Sequence, residues 1–321
     1  MAKYPQLDDC QGVWKMKELS DAVKSGLWRN VGTRMLFAGG NQGDSDVIDY
    51  IEIGTTGNAT DFGDLTAGGE CAGGFGSHTR GFFLIGASPS NAIDMVAFST
   101  LANATDFGDS IGGTFFRGGA SNSTRGLFSG GDGDPDINVI DYITMSSAGD
   151  GTDFGNLTVA RRNHGNQPSS PTRACFMGGQ VPASQNVIDF VEIATTGNAT
   201  DFGDLTAVTG SLACTSSSTR GVCGGGYISA KTSKIEFITI ASLGNANAFG
   251  DLTAARYSPA AGSNSVRGVW GGGNTVPAQV DIIDYFEIAT GGLAVDFGNL
   301  TAVRNNLGGA SGGHGGLNGG K

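Results

Sequence analysis

The stretch Thr124-Arg125-Gly126-Leu127-Phe128-Ser129-Gly130-Gly131 is followed by Val139-Ile140-Asp141-Tyr142-Ile143 and then by Thr152-Asp153-Phe154-Gly155-Asn156-Leu157-Thr158. Together these segments make one unit of a repeat, and the repeat decides the fold. Its arginine recurs as Arg34, Arg80, Arg125, Arg173, Arg220 and Arg267, at intervals of 46, 45, 48, 47 and 47 residues. The Asp-Phe-Gly phenylalanine recurs as Phe62, Phe107, Phe154, Phe202, Phe249 and Phe297. Periods of this length belong to propeller blades and solenoid units. Units start near residues 33, 79, 124, 172, 219 and 266.

Each unit reads as four strands. A Thr/Ser-rich segment such as Thr215-Ser216-Ser217-Ser218 leads into the arginine. A second segment runs from the arginine to a glycine pair, where positive φ ends the strand. One and three residues after the arginine stand, for example, Gly126 with Phe128 and Gly268 with Trp270. A small residue beside a large ring on one strand face predicts close packing against a neighbouring sheet. The third segment, as in Val47-Ile48-Asp49-Tyr50-Ile51-Glu52-Ile53, is β-branched and aromatic, with both faces largely apolar, so both are expected to be covered. The fourth carries Asp-Phe-Gly, short and glycine-broken, as an outer edge strand should be.

One acid recurs in the third segment: Asp49, Asp94, Asp141, Asp189, Glu236 and Asp284. A carboxylate on a buried face needs a partner. The once-per-unit arginine has the planar fork that suits it, so the expectation is one Arg–acid bridge per blade, for example Arg125 with Asp141 or Asp153. The alternative is that these arginines reach solvent.

The ends of the array are offset. After Leu300-Thr301 the chain runs on as Ala302-Val303-Arg304-Asn305-Asn306-Leu307-Gly308-Gly309, like the segment after each other unit, whereas no such segment precedes Arg34. A solenoid gains nothing from that offset and needs polar caps. A ring gains closure, because residues 302–310 complete the first blade. The expected fold is all-β: a six-bladed β-propeller over residues 31–321, closed by a C-terminal strand, behind a short helical segment over residues 1–30.

Composition narrows the function. The chain has 321 residues, 56 of them glycine, with 39% hydrophobic and 15% charged residues, which suits an all-β protein with many tight turns. A net charge of −11 opposes binding nucleic acid through phosphates. No window reaches the roughly 20 apolar residues of a membrane helix, and the first residues lack a signal-peptide core; the expectation is a soluble, non-secreted protein without a membrane partner. Five cysteines without a Cys-x-x-Cys read as reduced thiols, with Cys214 and Cys223 facing each other across a hairpin. Asp-Phe-Gly occurs five times, with Ala248-Phe249-Gly250 of the fifth unit as a sixth variant, so it is architecture and not a kinase motif. His78, His164 and His314 lack the spacing of a metal or acid–base site. No cofactor, metal or catalytic group is expected, and the chain reads as a non-enzyme.

The strand order, with Gly-Gly ending the second strand, resembles the kelch repeat over residues 31–310. The kelch tryptophan is replaced by the Phe of Asp-Phe-Gly, and unit two has Ile85-Gly86 for Gly-Gly. The phrasing Thr-Arg-Gly-x-Phe-x-Gly-Gly, Val-Ile-Asp-Tyr-Ile-x-Ile and Gly-Asn-Ala-Thr-Asp-Phe-Gly-Asp-Leu-Thr is similar to a repeat of virion structural proteins in tailed bacteriophages, marine and cyanobacterial ones in particular. The leader Gly12-Val13-Trp14-Lys15-Met16-Lys17-Glu18-Leu19 with Gly26-Leu27-Trp28 resembles one found in such tail and fibre proteins. The resemblance implies a virion location, several copies per particle with a homo-oligomer as one arrangement, and partners among tail, fibre or neck proteins and a host-surface glycan or protein. Alternatives are a head or neck decoration protein, a carbohydrate-active enzyme, or an intracellular kelch-type scaffold.

Two segments are candidate contact sites. Trp14, Leu19, Val23, Leu27 and Trp28 group on and around one helical face, as a docking segment would place them. Asp132, Asp134 and Asp136 make one loop longer and more acidic than its counterparts, a place for a contact or a weakly held calcium ion.

Overall fold

The computed structural model describes residues 34–41, 43–85, 91–111, 115–162 and 165–317. It is a six-bladed β-propeller. Blade 1 has the strand order Gly308–Ser311, Arg34–Ala38, Val47–Glu52, Thr60–Asp64, from the axis outward. Its inner strand therefore comes from the far end of the chain, with Leu36 opposite Ala310 and Ala38 opposite Gly308. Blades 2, 3, 5 and 6 repeat the antiparallel four-strand pattern from consecutive sequence, and blade 5 gains a short parallel addition from Gly292–Leu293. Closure is achieved by Gly308–Ser311, and the preceding residues 302–307 form the crossover that delivers them.

Six apolar clusters fill the six seams between neighbouring blades. Leu36, Ile48 and Phe62 of blade 1 meet Phe83 and Val96 of blade 2. Met35, Phe37 and Ile51 of the same blade meet Val269, Ile283 and Phe297 of blade 6, so the last seam is packed like the others. The small residue after the arginine has the anticipated role: a Cβ on Gly126 would lie 1.9 Å from the Phe75 ring of blade 2.

The Asp-Phe-Gly glycine has its own reason. A register shift puts a bulge at Ile48/Asp49, and equivalent shifts occur in the other blades. At Gly155, φ is +146°, and a Cβ would lie 2.3 Å from the Gly197 carbonyl oxygen of blade 4. The next blade's Gly-Asn turn approaches that closely because it hydrogen-bonds there: Gly197 N donates to Phe154 O at 2.7 Å, and Asn156 N donates to Asn198 Oδ1 at 3.1 Å. The same asparagine contact joins Asp64 to Asn103, Asp204 to Asn245 and, across the closing seam, Asn299 to Asn58. Outer edges, which would otherwise present unpaired backbone, are thus covered by the following blade.

The repeated arginines and the repeated acids are not bonded to each other, which corrects the expected partners. Arg34, Arg173 and Arg267 do bridge an acid within their own blade, but it is Glu52, Glu192 and Glu287, at 2.8, 2.7 and 3.5 Å. Each repeated arginine also crosses to the next blade. Arg125 donates to Ile193 O and Ala194 O at 2.9 and 3.0 Å, and Arg267 to Ile53 O and Gly54 O at 3.2 and 3.1 Å. Arg34 and Arg80 reach Phe98 O and Met145 O, and Arg173 and Arg220 reach Ile240 O and Ile288 O. Five of the six also stack on an aromatic of their own third strand, as Arg125 does on Tyr142 at 4.5 Å.

The acids sit fully or nearly buried at the seams, gripped by the preceding blade. Thr301 donates to Asp49 through its hydroxyl at 2.7 Å and its amide at 3.1 Å, and Arg304 pairs with the same carboxylate at 2.5 Å. Thr158 with Arg161 holds Asp189, and Thr253 with Arg256 holds Asp284. Asp141 pairs with Arg117 from the start of its own blade's inner strand. Asp94 is held by Thr66, with Gly69 standing where the arginine would, and burial raises its pKa. Glu236 is held by Thr206, with Thr209 at the arginine position. Cys175, Cys214 and Cys223 are free and buried.

Candidate binding site at the axial mouth

The inner strands converge on the axis and are tied to one another there. At their C-terminal ends, serine hydroxyls donate to the preceding blade: Ser169 to Ser121 O, Ser216 to Ser169 O and Ser263 to Ser216 O, each at 2.7 Å. His314 closes this end, buried, with Nε2 2.9 Å from Gly76 O and 3.2 Å from Ser121 Oγ. Burial lowers its pKa to about 4, and the neutral ring is part of the packing.

Blade 4 breaks the pattern. Its sheet has three strands, and residues 166–169 take the inner position with isolated bridges, from Ser169 to Ala174 of its own blade and from Asn166 to Gly119 of blade 3, in place of a ladder. Pro168 has no N–H to extend a ladder. The freed Asn166 reaches across the axis. Its Nδ2 donates to Gly74 O at 2.8 Å and to Gly309 O, and its backbone carbonyl accepts from Cys214 N at 2.9 Å. Gln167 N donates to Gly119 O at 2.7 Å. This short segment therefore touches inner strands of blades 1, 2, 3 and 5, leaving about 20 Å³ of open space on the axis, room for about one water.

The opposite end of the axis is open. A bowl of about 400 Å³ is lined by Asn41, Phe116, Arg162, Gln180, Ser211, Tyr257, Ser258, Asn274, Gln279, Asn305 and Asn306. These residues lie in the turns after the second strands and in the crossovers that precede the inner strands. Phe116, Ser211, Ser258 and Asn306 occupy equivalent crossover positions with φ between +52° and +57°. Three of these backbones are chained: Asn306 N donates to Ser258 O at 3.0 Å, and Ser258 N to Ser211 O at 2.8 Å. Gln279 Nε2 donates to Asn305 Oδ1 at 2.9 Å and to Asn41 O.

No protein-family model matches this chain, and neither does any curated protein. The reading of the site therefore rests on its geometry.

Of the acidic loop, Asp132 is joined to the bowl. It pairs with Arg162 at 2.9 Å, and its amide donates to Phe115 O at 2.8 Å. Asp136 stands near both, its pKa raised by burial, with Asp132 adding to the rise and Arg162 opposing it. Among the described residues, no group of three or more His, Cys, Asp or Glu side chains is placed to hold a metal ion. Trp14, Leu19, Val23, Leu27 and Trp28 lie outside the described residues. Also among the described residues, no helix is long and apolar enough to cross a membrane. Sequence reading missed the bowl because its residues are scattered through the units, although the proline unique to the fourth inner segment marks where the axis is irregular.

Proposed function

We propose that this chain is a non-enzymatic structural component of a tailed-bacteriophage virion. Its propeller, attached to the tail or a fibre, makes protein–protein or host-surface contacts, in several copies per particle. A β-propeller is consistent with an interaction role, since loops on a rigid ring are where binding resides. The observation that carries the reading is the ring's construction: every seam is sutured at the rim, at the buried acids and near the axis, while the loops at the mouth differ from blade to blade. The repeat phrasing points to a virion as the place where such a ring is used. Residues 1–30 serve as the docking segment in this proposal, and the partners are other virion proteins.

Electron microscopy of purified particles labelled with antibody against the propeller tests the proposal. Label on the tail or fibres, lost when residues 1–30 are deleted, is the expected result. Absence of the protein from purified particles that come from cells containing it would overturn the reading.

A further inference from the structure

We propose that the axial bowl binds a neutral saccharide, its hydroxyls met by amide side chains and a C–H face of its ring laid against an aromatic. The volume of about 400 Å³ falls in the roughly 300–1,000 Å³ range of small-molecule sites. Six of the eleven lining residues are Asn or Gln: Asn41, Gln180, Asn274, Gln279, Asn305 and Asn306. A carboxamide offers donor and acceptor side by side on one plane, the complement of two neighbouring hydroxyls. Phe116 and Tyr257 belong to blades 3 and 6, which oppose each other across the axis, so a ring is available on either side.

Charge selects the ligand class. Arg162 is the single cation among the lining residues, and Asp132 already neutralises it. Among the lining residues a phosphate or an acidic sugar would find no unpaired cation, and a metal ion no carboxylate.

Two further observations point to a ligand. The Gln279 side chain is oriented, because its Nε2 is committed to Asn305 and Asn41, yet its Oε1 is a buried atom with no hydrogen-bond partner. Arg162 Nε is buried and unpaired as well. One acceptor and one donor thus stand unused beside an open polar bowl, and a buried polar atom left unmet carries a desolvation cost that a partner relieves. The second observation is conformational. Four of the six described non-glycine residues with positive φ line this bowl. Glycine would adopt that backbone most easily, and the chain uses glycine 56 times. At these positions it keeps Phe, Ser, Ser and Asn, retaining side chains at a strained site, a pattern typical of functional surfaces. The chained backbone bonds hold Ser211, Ser258 and Asn306 fixed before any ligand arrives, which lowers the ordering cost of binding.

The inference rests on the reading of the propeller as a contact module, and it names the chemistry of what is contacted. Calorimetric titration of the full chain tests it, with maltotetraose, cellotetraose, chitotetraose and mannotetraose in one arm, purified neutral bacterial surface polysaccharide in a second, and sialyllactose as the charged comparison. A neutral sugar should bind with Kd of about 1 mM or tighter, and Gln279→Ala and Tyr257→Ala should each weaken it about tenfold or more. Leu243→Ser, at an exposed turn outside the bowl, should leave binding unchanged. Where either bowl variant is poorly folded, amide exchange at residues 257–258, 274 and 305–306 of the unaltered protein should slow on adding the sugar. Failure of all neutral ligands to bind, or binding that ignores both bowl variants and the amides, would overturn the inference. Binding to free tetrasaccharides but not to the polysaccharide would make a soluble sugar the ligand. Tagged protein found on particles without sugar binding would sink this inference alone; sugar binding by a protein absent from particles would sink the virion reading alone.

Discussion

Around the rim, Arg34 and its five equivalents do the same thing six times, each reaching a backbone carbonyl of the next blade. On the axis, Asn166 acts once, for the whole ring, and the crossovers of one end stay apart to form a polar bowl. What recurs is suture; what occurs once is where the repeat has been adapted. Substitutions of recurring parts should therefore cost about the same in every blade, and substitutions of unique parts should have no counterpart elsewhere.

The largest effect is expected at the buried bridges. Arg304→Ala leaves Asp49, and Arg256→Ala leaves Asp284, without a charge partner and with only the threonine to hold it, both carboxylates being fully buried. Each should cost about 3–5 kcal/mol in denaturant unfolding, whereas Arg125→Ala, whose side chain reaches the next blade's carbonyls at the rim, should cost about 1 kcal/mol. Equal losses at 304 and 256 would support the rule of recurrence; a loss at 304 alone would confine it to the closing seam.

Acid probes the axis. His314 is held neutral by burial, with its pKa lowered from 6.5 to about 4, so the unfolded chain takes up a proton first as pH falls. The stability it contributes is present above pH 6.5 and is lost progressively between pH 6.5 and 4, by on the order of 3 kcal/mol. His314→Gln should flatten that part of a plot of Tm against pH, and an unchanged slope would remove this histidine from the account.

Smaller losses should come from the seams. Gly126→Ala forces a Cβ against Phe75 and should cost about 1–3 kcal/mol, seen as a lower Tm. Asn103→Ala removes one outer-edge acceptor, an exposed bond, and should cost about 0.5–1 kcal/mol by the same measurement.

Much of the fold was legible because the repeat multiplies each weak strand signal by six and the offset ends leave a ring as the economical solution. The partners of the acids were not, for a geometric reason. Thr158 and Arg161, Thr253 and Arg256, and Thr301 and Arg304 stand three residues apart in the sequence, but the carboxylates they hold belong to the following blade. Pairing of these buried carboxylates within one unit was the natural reading, and the ring pairs them across units, while the partly exposed bridges of Arg34, Arg173 and Arg267 to Glu52, Glu192 and Glu287 do stay within one. The turn asparagines give no such signal in the sequence either: Asn198, after a glycine, and Asn103, after Ala102, accept from the outer edge of the preceding blade. The bowl was least legible. Tyr257, Gln279 and Asn305 carry no motif and become a site because closure brings blades 6 and 1 side by side.

Closure is the claim on which the seams, the axis and the bowl all depend, and amide hydrogen exchange across residues 308–311 tests it most directly. Pairing with Arg34–Ala38 predicts that these amides exchange as slowly as those of Ala260–Ser263, the corresponding inner strand of blade 6. Exchange at the rate of an unstructured segment, with 260–263 still protected, would contradict the ring.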